Sequence, residues 1–446
     1  MNSNQKYFFI GIGGIGMSSI AKYFLDKGNE IMGYDRVESE IVENLSKEGV
    51  KVLNKTDVNL LPDNFKSNDV IVIYSSAISQ ENSYLNYYLT NKNKIYKRSE
   101  ILGEITEKTF CISIAGTHGK TTTSAILTHL FYKCEESFQS FIGGILNGYE
   151  TNFISTGKKY SIVEADEYDR SFLQLKPNIG IITSIEKDHL DIYGDFKSLK
   201  ESFHLFSDRV TDKIFYSDQV EGFEGLSYSI NLETDYYAKN ISLMEKGYKF
   251  DIITPYNEFT NVEFNQIGGH NLLNAIGAFS VAHYLGLEGN KLIKALADFK
   301  GVYRRMDIFR LANKIVIDDY AHHPSEINAV LNSIKDKYNN LKAGVIFQPH
   351  LFSRTKDLLD DFAKVLSKFD EVYLLEIYPA REEPIEGVSS DVLLDKIICD
   401  KKSILKIESV NEKIESIDCE IIAVLGAGNV ANSIQSLKKK YYESSI

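Results

Sequence analysis

Residues 111–124 read CISIAGTHGKTTTS, and this stretch decides how the surrounding chain folds. A short apolar run ends at Gly116 in a glycine-containing turn, and a helix-compatible segment follows the turn. The order of strand, turn and helix start directs backbone N–H groups and a helix N-terminus at one point, where phosphate binds. Lys120 is the residue type that reaches terminal phosphates, and the Thr121 hydroxyl is the type that holds Mg²⁺. The stretch therefore predicts a nucleoside triphosphate site.

The same alternation of buried strand and helix recurs along the chain. It predicts an α/β fold of three domains, each a mostly parallel sheet, Rossmann-like or of the P-loop type, flanked by helices. Residues 7–16 predict a strand that runs into a glycine turn, and apolar runs predict strands at 70–78, 160–166, 179–185, 313–320, 342–349, 371–378 and 419–428. The predicted domains are 1–106, 107–308 and 309–446, with a β-rich insertion at 211–265. We expect ligands in the clefts between such domains.

Bulk properties exclude several classes of protein. A net charge of −12 over 446 residues argues against a general nucleic-acid binder, which needs a basic surface. The four cysteines form no C-x-x-C pair, so we expect reduced, unpaired thiols. Neither a signal peptide nor an apolar run of about 18 residues is visible, which predicts a cytoplasmic protein without membrane insertion.

A second glycine cluster, GIGGIG at 11–16, follows the first predicted strand. It matches G-x-G-x-x-G, and Asp35 ends the next strand, where an acidic residue contacts a ribose. The pattern predicts a diphosphate site. A UDP-sugar presents the same pyrophosphate and ribose as NAD, so the pattern leaves both ligands open. Close packing of helix on strand is the purely structural alternative.

Acidic and histidine residues follow two strands of the second predicted domain. EADEYDR at 164–170 places Glu164 where a strand end delivers side chains, and SIEKDHLDIYG at 184–194 contains His189. Either segment is compatible with a solvated loop or a structural histidine. Their predicted position at the sheet edge of the phosphate loop favours metal ligands, although Mg²⁺ usually prefers oxygen.

Four further motifs fall at predicted helix starts, domain boundaries or strand ends. Asparagines at a helix start suit the edges of adenine, and an arginine at a boundary suits a phosphoryl group on which charge develops. An arginine after a strand suits a carboxylate, because its forked donors match one. Helix capping and solvated charge are the alternatives. The motifs are GHNLLN at 269–274, YRRMD at 303–307, DDYAHHP at 318–324 and QPHLFSRT at 348–355.

Taken together and in this order, the motifs resemble those of the Mur ligases of peptidoglycan synthesis. GTHGKTTTSA, EADEYDRSFL, DHLDIYG, DDYAHHPSEI and FQPHLFSRT carry the resemblance, which covers nearly the whole chain and is strongest to the alanine-adding branch. It implies a first domain for a UDP-sugar, a central domain for ATP and a last domain for the amino acid. The implied reaction joins L-alanine to the lactyl carboxylate of UDP-N-acetylmuramate through an acyl phosphate, releasing ADP and phosphate.

The resemblance also implies cofactors and partners. We expect ATP and two Mg²⁺ ions, with Mn²⁺ as a substitute. We further expect small-molecule substrates, no nucleic acid, and a monomer or weak homodimer.

By resemblance, each motif residue acquires an expected role. Catalytic roles fall to Lys120, His189, Arg305 and His323, with His323 a candidate base for the incoming ammonium. ATP binding is implied for Gly116, Thr117, Gly119, Lys120, Thr121, Thr122, Asn271, Asn274, Arg305 and Asp319. UDP-sugar binding is implied for Gly13, Gly14, Ile15, Gly16, Asp35, Ser75, Ser76 and His118. The amino acid is expected at His323 and Arg354, and metal at Thr121, Glu164 and His189.

Two positions depart from the family pattern. His204 stands where many sibling ligases have a carbamylated lysine, which fits the alanine-adding branch. Leu351 stands where some alanine-adding members have an arginine, which leaves Arg354 with less help in holding a carboxylate.

Four other functions compete with this interpretation. A nicotinamide dehydrogenase leaves the phosphate loop unused, and a folate-type ligase does not need the first glycine cluster. A recycling ligase that adds a whole peptide to the same sugar requires a roomier acceptor pocket. A non-catalytic nucleotide-binding scaffold would show no turnover.

Overall fold

The computed structural model describes residues 4–380 and 382–443, which form two compact units. The described part of the first unit is 4–185, 197–228 and 277–292, and that of the second is 186–196, 229–276, 293–380 and 382–443. Strands and helices alternate through both units, which confirms the predicted α/β class. The three-domain boundaries stay a prediction.

The amino-terminal part of the first unit is a parallel sheet in the order β3-β2-β1-β4-β5. Its strands are β1 (Lys6–Ile10), β2 (Glu30–Tyr34), β3 (Lys51–Leu53), β4 (Ile71–Tyr74) and β5 (Ile95–Lys97). The helices are α1 (Ile15–Asp26), α2 (Glu40–Lys47), α3 (Ser83–Thr90) and α4 (Arg98–Thr106). Phe8 and Ile10 of the central strand lie in the apolar core. Because β1 pairs with β2 and β4, the turns after these three strands share one sheet edge.

The rest of the first unit is built around the strand that precedes the phosphate loop. Its strands are β6 (Phe110–Ala115), β7 (Phe138–Leu146), β8 (Thr151–Ser155), β9 (Tyr160–Glu164), β10 (Ile179–Ile182), β11 (Lys213–Ser217) and β12 (Leu226–Ser229). They follow one another as β12-β11-β10-β6-β9-β7-β8, parallel except for the β7–β8 hairpin. The helices of this part of the chain are α5 (Lys120–Lys133) in the first unit, α6 (Leu190–Tyr193) in the second unit, and α7 (Phe196–Ser207), of which all but Phe196 belongs to the first unit. Because β6 lies between β9 and β10, the loops after all three meet at one edge.

The second unit contains an antiparallel segment and a third sheet. The antiparallel strands are β13 (Tyr236–Met244), β14 (Gly247–Ile253) and β15 (Glu258–Phe264), so the prediction of a β-rich stretch at 211–265 is confirmed. Helices α8 (Gly269–Tyr284) and α9 (Gly289–Asp298) follow, and each includes residues of both units.

The third sheet has the order β16-β17-β21-β18-β19-β20, parallel except for β16. Its strands are β16 (Asp307–Leu311), β17 (Lys314–Asp319), β18 (Ala343–Phe347), β19 (Glu371–Leu374), β20 (Lys401–Ile404) and β21 (Ile421–Leu425). The helices are α10 (Pro324–Lys337), α11 (Phe352–Asp357), α12 (Leu359–Leu366), α13 (Ser390–Lys396), α14 (Val410–Ser416) and α15 (Val430–Glu443). Apolar clusters cover both faces, which is why these strands are continuous apolar runs.

Several predicted strands are longer than those observed. The run predicted as 179–185 forms a strand only to Ile182, because Thr183 and Ser184 use their polar groups to hold the phosphate loop. Among the described residues, no helix has both the length and the apolar character needed to cross a membrane.

Candidate active site

The phosphate loop has the backbone that its glycines predict. Gly116 and Gly119 adopt φ values of +139° and +85°, which L side chains rarely adopt, and Gly119 caps the N-terminus of α5. A Cβ at Gly116 would lie 3.0 Å from the backbone nitrogen of Ser184. The loop is thus a tight turn that leads directly into the helix.

Ser184 at the end of the neighbouring strand holds the loop in place. Its carbonyl accepts the Thr117 N–H at 3.0 Å, and its hydroxyl accepts the His118 N–H at 2.9 Å. The Thr183 hydroxyl donates to the His118 carbonyl. The backbone N–H groups of Thr117 and His118 therefore donate to acceptors within the protein. His118, which the resemblance assigns to the UDP-sugar, is part of this loop.

Lys120 is held by Glu167, an acidic residue of the 164–170 segment to which the sequence analysis assigned no individual role. Its Nζ lies 2.8 Å from Glu167 Oε2, and the Glu167 side chain is only 1% exposed. Nζ also donates to the carbonyls of Gly116 at 2.5 Å and Thr117 at 3.2 Å. Burial lowers the pKa of Lys120, but the carboxylates of Glu167, Asp166 and Glu164 together outweigh burial and raise the pKa overall. The ammonium is therefore charged and fixed beside the phosphate loop.

Two of the predicted metal ligands, Thr121 and Glu164, are in direct contact within the first unit. The Thr121 hydroxyl donates to Glu164 Oε2 at 3.2 Å, and Glu164 Oε1 accepts from Ser124 Oγ at 3.0 Å and from the Gly143 N–H at 2.6 Å. A Cβ at Gly143 would overlap the Glu164 carboxylate. A hydroxyl and a carboxylate are oxygen donors of the kind that Mg²⁺ prefers, so this pair fits the ion.

The first glycine cluster forms a turn that Asp35 closes. The Gly13 N–H donates to Asp35 Oδ2 at 2.8 Å, Gly14 caps α1, and the Ile15 carbonyl accepts from the Asn152 amide at 2.7 Å. The Asp35 carboxylate thus binds the turn itself, in addition to the ribose contact that the sequence predicts. Ser75, in the turn after β4, lies beside the glycine turn that follows β1: a Cβ at Gly11 would be 3.4 Å from Ser75 Cβ. Ser76 is exposed in the same turn.

Arg98 lies beside the glycine turn at 11–16, and the sequence analysis did not identify it as a site residue. A Cβ at Gly16 would be 2.7 Å from Arg98 Nη1, so the guanidinium covers the start of α1. Arg98 Nη2 also donates to Asp166 Oδ2 at 2.9 Å. A basic residue directly after β5, at the same sheet edge as the glycine turn, is the signal that would have identified it.

In the second unit, a segment at 186–189 contacts two side chains expected to bind the amino acid. His323 Nε2 donates to the Lys187 carbonyl at 3.1 Å, and Arg354 Nη2 lies 3.1 Å from Asp188 Oδ1. His189, the third predicted metal ligand, has φ +54°, and its N–H donates to Asp188 Oδ1 at 2.8 Å. The sequence analysis did not predict that Arg354 pairs with a carboxylate of the protein itself, that of Asp188.

His323 has a structural role that bears on its predicted function as a base. It is the N-cap of α10, and its Nδ1 lies 2.8 Å from the Ser325 hydroxyl. Because a carbonyl only accepts, Nε2 carries the proton toward Lys187, and Nδ1 is the acceptor. Both ring nitrogens are thus engaged, which argues against proton abstraction by this ring in the conformation described.

Asp319 organises the loop that carries Arg305. Its carboxylate accepts the Met306 N–H at 2.6 Å and the Ala321 N–H at 2.7 Å, while Arg305 lies over the Tyr320 ring at 5.0 Å. Burial raises the pKa of Asp319 to about 6, against the opposing effect of Arg305 and the two N–H groups. Two residues next to Arg305 in the chain, Arg304 and Met306, have positive φ, so this loop holds an unusual backbone.

The remaining predicted positions are placed as follows. The Asn271 side chain is buried and donates to the Ile267 carbonyl at 2.8 Å; Asn274 on the same helix and Thr122 on α5 are also buried. His204 is exposed and stacks on Phe223, with ring centroids 4.5 Å apart. Leu351 has φ +72° and donates its N–H to the Tyr378 carbonyl at 3.0 Å.

Comparison with known proteins gives full-length matches. The sequence matches the descriptions "Mur ligase family, catalytic domain" over 6–109, "Mur ligase middle domain" over 114–282 and "Mur ligase, glutamate ligase domain" over 304–428. It is 43% identical to the UDP-N-acetylmuramate–L-alanine ligase of Flavobacterium psychrophilum, covering 99% of this chain and 100% of the relative. The enzyme of the same name from Christiangramia forsetii is 42% identical, with 98% of each chain covered.

Solved structures agree with these matches. The fold is similar to that of UDP-N-acetylmuramate-alanine ligase MurC from Thermotoga maritima, with a TM-score of 0.81 and 26% identity over 99% of this chain and 100% of that one. A murein peptide ligase from Psychrobacter arcticus shares the fold, with a TM-score of 0.74 and 21% identity over 98% of each chain.

Proposed function

This chain belongs to the Mur ligase family, and we propose that it joins L-alanine to the lactyl carboxylate of UDP-N-acetylmuramate, converting ATP to ADP and phosphate. The observation that carries the proposal is the phosphate loop, where Lys120 and the Thr121–Glu164 pair lie at one sheet edge. Full-length relatives at 42–43% identity carry the name of the alanine ligase, which favours this branch over the peptide-adding one. In the proposed assignment, 1–106 binds the UDP-sugar, 107–308 binds ATP and 309–446 binds the amino acid.

The chemistry follows from the charges of the substrates. The lactyl carboxylate is anionic and therefore a poor electrophile, but its attack on the γ-phosphate of ATP displaces ADP and gives an acyl phosphate with a good leaving group. The neutral amine of alanine then attacks the acyl carbon, and phosphate leaves from the tetrahedral intermediate. Lys120, and Arg305 on its Asp319-organised loop, would offset charge on the transferring phosphoryl group. Exclusion of water would protect the acyl phosphate from hydrolysis.

The phosphate loop and α5 supply the proposed contacts to the ATP phosphates, and α8 those to adenine. The phosphate contacts are Gly116, Thr117, Gly119, Lys120, Thr121 and Thr122, and the adenine contacts are Asn271 and Asn274. Thr121, Glu164 and His189 would hold Mg²⁺, for which Mn²⁺ would substitute. When bound, the metal neutralises charge on the phosphate oxygens.

The turn at 11–16 with Asp35 and Ser75 is the proposed diphosphate and ribose site of the UDP-sugar. The acceptor amino acid would bind at Arg354, with His323 holding the 186–189 segment rather than acting as the base. We further propose a cytoplasmic location and a monomer or weak homodimer, which sedimentation velocity would test.

The deciding experiment is a phosphate-release assay with UDP-N-acetylmuramate and ATP against a panel of amino acids and a peptidoglycan tripeptide. We expect release to require both the UDP-sugar and L-alanine. Release with the tripeptide but not with alanine would establish the recycling reaction instead. Lys120→Ala is the matched inactive variant: it should retain its circular dichroism spectrum and lose turnover, whereas substantial turnover would refute the phosphate-loop assignment.

A further inference from the structure

Asp188 is a buried carboxylate for which the reaction described above has no role. It lies in the 186–189 segment of the second unit, and its side chain is 8% exposed. The side chain that faces it, Arg354, is 7% exposed. Arg354 donates through Nε at 3.3 Å and Nη2 at 3.1 Å to Asp188 Oδ1, and Nη2 is 3.4 Å from Oδ2. This is one edge of the guanidinium fork bound to one carboxylate.

The surroundings of Asp188 favour a carboxylate, because the Arg354 guanidinium lies 3.1 Å from its Oδ1 and both side chains are buried. Breaking such a buried pair leaves an uncompensated charge, so the pair holds both side chains in one geometry. The guanidinium of Arg354 is therefore fixed before any substrate binds.

The contacts with Asp188 use only one side of the guanidinium. The Nε and Nη2 groups donate to Asp188. The remaining nitrogen, Nη1, lies 3.4 Å from His350 Nδ1, at the limit of hydrogen bonding. Arginine carries five N–H donors in a rigid plane, so fixing one edge fixes the direction of the other. The Nη1 side is thus the part of Arg354 that can meet an acceptor carboxylate.

We propose that Asp188 is a positioning residue for the acceptor amino acid, because its carboxylate orients Arg354 so that Nη1 meets the acceptor's carboxylate. The proposal rests on the proposed function, in which Arg354 binds the amino acid. Asp188 itself does not touch the acceptor. It acts through Arg354, and its Oδ1 also holds the backbone N–H of His189.

The test is Asp188→Asn, which keeps an oxygen for the His189 N–H and removes the charge that holds Arg354. We expect the KM for L-alanine to rise about tenfold, as for a lost charge-assisted hydrogen bond, with the KM values for ATP and UDP-N-acetylmuramate within about twofold of wild type. In an Arg354→Ala background the same change should alter the alanine KM by less than about twofold, because the residue through which Asp188 acts is absent.

Glu371→Gln is the matched control. Glu371 is also buried and pairs with Lys401 at 3.1 Å, but it begins β19, at the end of the third sheet opposite Arg354. The control should lower the melting temperature without changing the alanine KM. If Asp188→Asn does not fold, Asp188→Glu replaces it: the longer carboxylate shifts the guanidinium, and we expect about a threefold rise in the alanine KM.

The outcomes separate this proposal from the proposed function. Wild-type phosphate release that depends on alanine tests the function, and the variant KM values test Asp188. A lowered alanine KM would show that Asp188 competes for Arg354, and an equal rise in all three KM values would show a merely structural role. Each of these two results would overturn the proposal. An unchanged alanine KM, or effects of Asp188→Asn and Arg354→Ala that simply add, would also overturn it.

Discussion

The ion pair between Lys120 and Glu167 makes the phosphate loop sensitive to the loss of either charge. At 2.8 Å, with side chains 16% and 1% exposed, the gross attraction is about 6 kcal/mol at an effective dielectric constant of 20. Removing one partner of a buried pair costs about 3–5 kcal/mol. Because Lys120 keeps two carbonyl acceptors, we expect Glu167→Gln to lower the free energy of unfolding by about 3 kcal/mol.

Substitution of Lys120 distinguishes the energy of the ion pair with Glu167 from the energy of side-chain packing. Lys120→Met should cost a similar amount, since it leaves the Glu167 carboxylate without its ammonium. The double variant carries no charge at either position, and its cost should therefore be about 3 kcal/mol rather than the sum of about 6 kcal/mol.

The assay is native-state hydrogen exchange with mass spectrometry along a urea series, read on peptides from α5. This local measurement suits a chain whose two units need not unfold together. A coupling energy of about 3 kcal/mol between the two substitutions is expected. Additive costs, with the double variant less stable than wild type by about 6 kcal/mol, would refute the reasoning.

Three further predictions follow from the site. Gly143→Ala would push a Cβ against the Glu164 carboxylate, so the Mg²⁺ concentration for half-maximal phosphate release should rise about tenfold; an unchanged titration would contradict the metal assignment. Arg98→Ala should raise the KM for the UDP-sugar about tenfold with the ATP KM within about twofold, and equal rises in both would remove Arg98 from the diphosphate site. Burial, with help from a neighbouring arginine, lowers the pKa of His270 from 6.5 to about 4, so between these values the unfolded chain takes up a proton that the native state does not. The free energy of unfolding should fall by up to about 3 kcal/mol as the pH drops through this window, and urea midpoints at pH 7 and pH 5 should show a smaller decrease for His270→Gln.

The sheet edge of the phosphate loop could be predicted from sequence because its signals are local. A strand, a glycine turn and a helix start are adjacent in the chain, and the positive φ values of Gly116 and Gly119 confirm what those glycines indicate. The Thr121–Glu164 contact was likewise accessible, since parallel strands deliver their ends to the same edge. The resemblance then named residues that no periodicity or spacing could assign.

The partners of the site's cations could not be predicted in the same way. Asp188 and Arg354 are 166 positions apart, and Lys120 and Glu167 are 47 apart. Each pair depends on how one loop packs against another element, and hydrophobic patterning carries no information about such packing. The same limit applies to His323, whose ring is occupied by the Lys187 carbonyl from a distant segment.

The cations nevertheless share a physical rule. A buried or half-buried positive charge requires a facing carboxylate, and Lys120, Arg98 and Arg354 each have one in Glu167, Asp166 and Asp188. Such pairs fix the donors before the substrates bind, which lowers the ordering cost of binding and leaves preoriented charge for anionic groups. In an acidic chain whose substrates are all phosphates or carboxylates, these three cations each have an acidic partner, and only the fold shows which one.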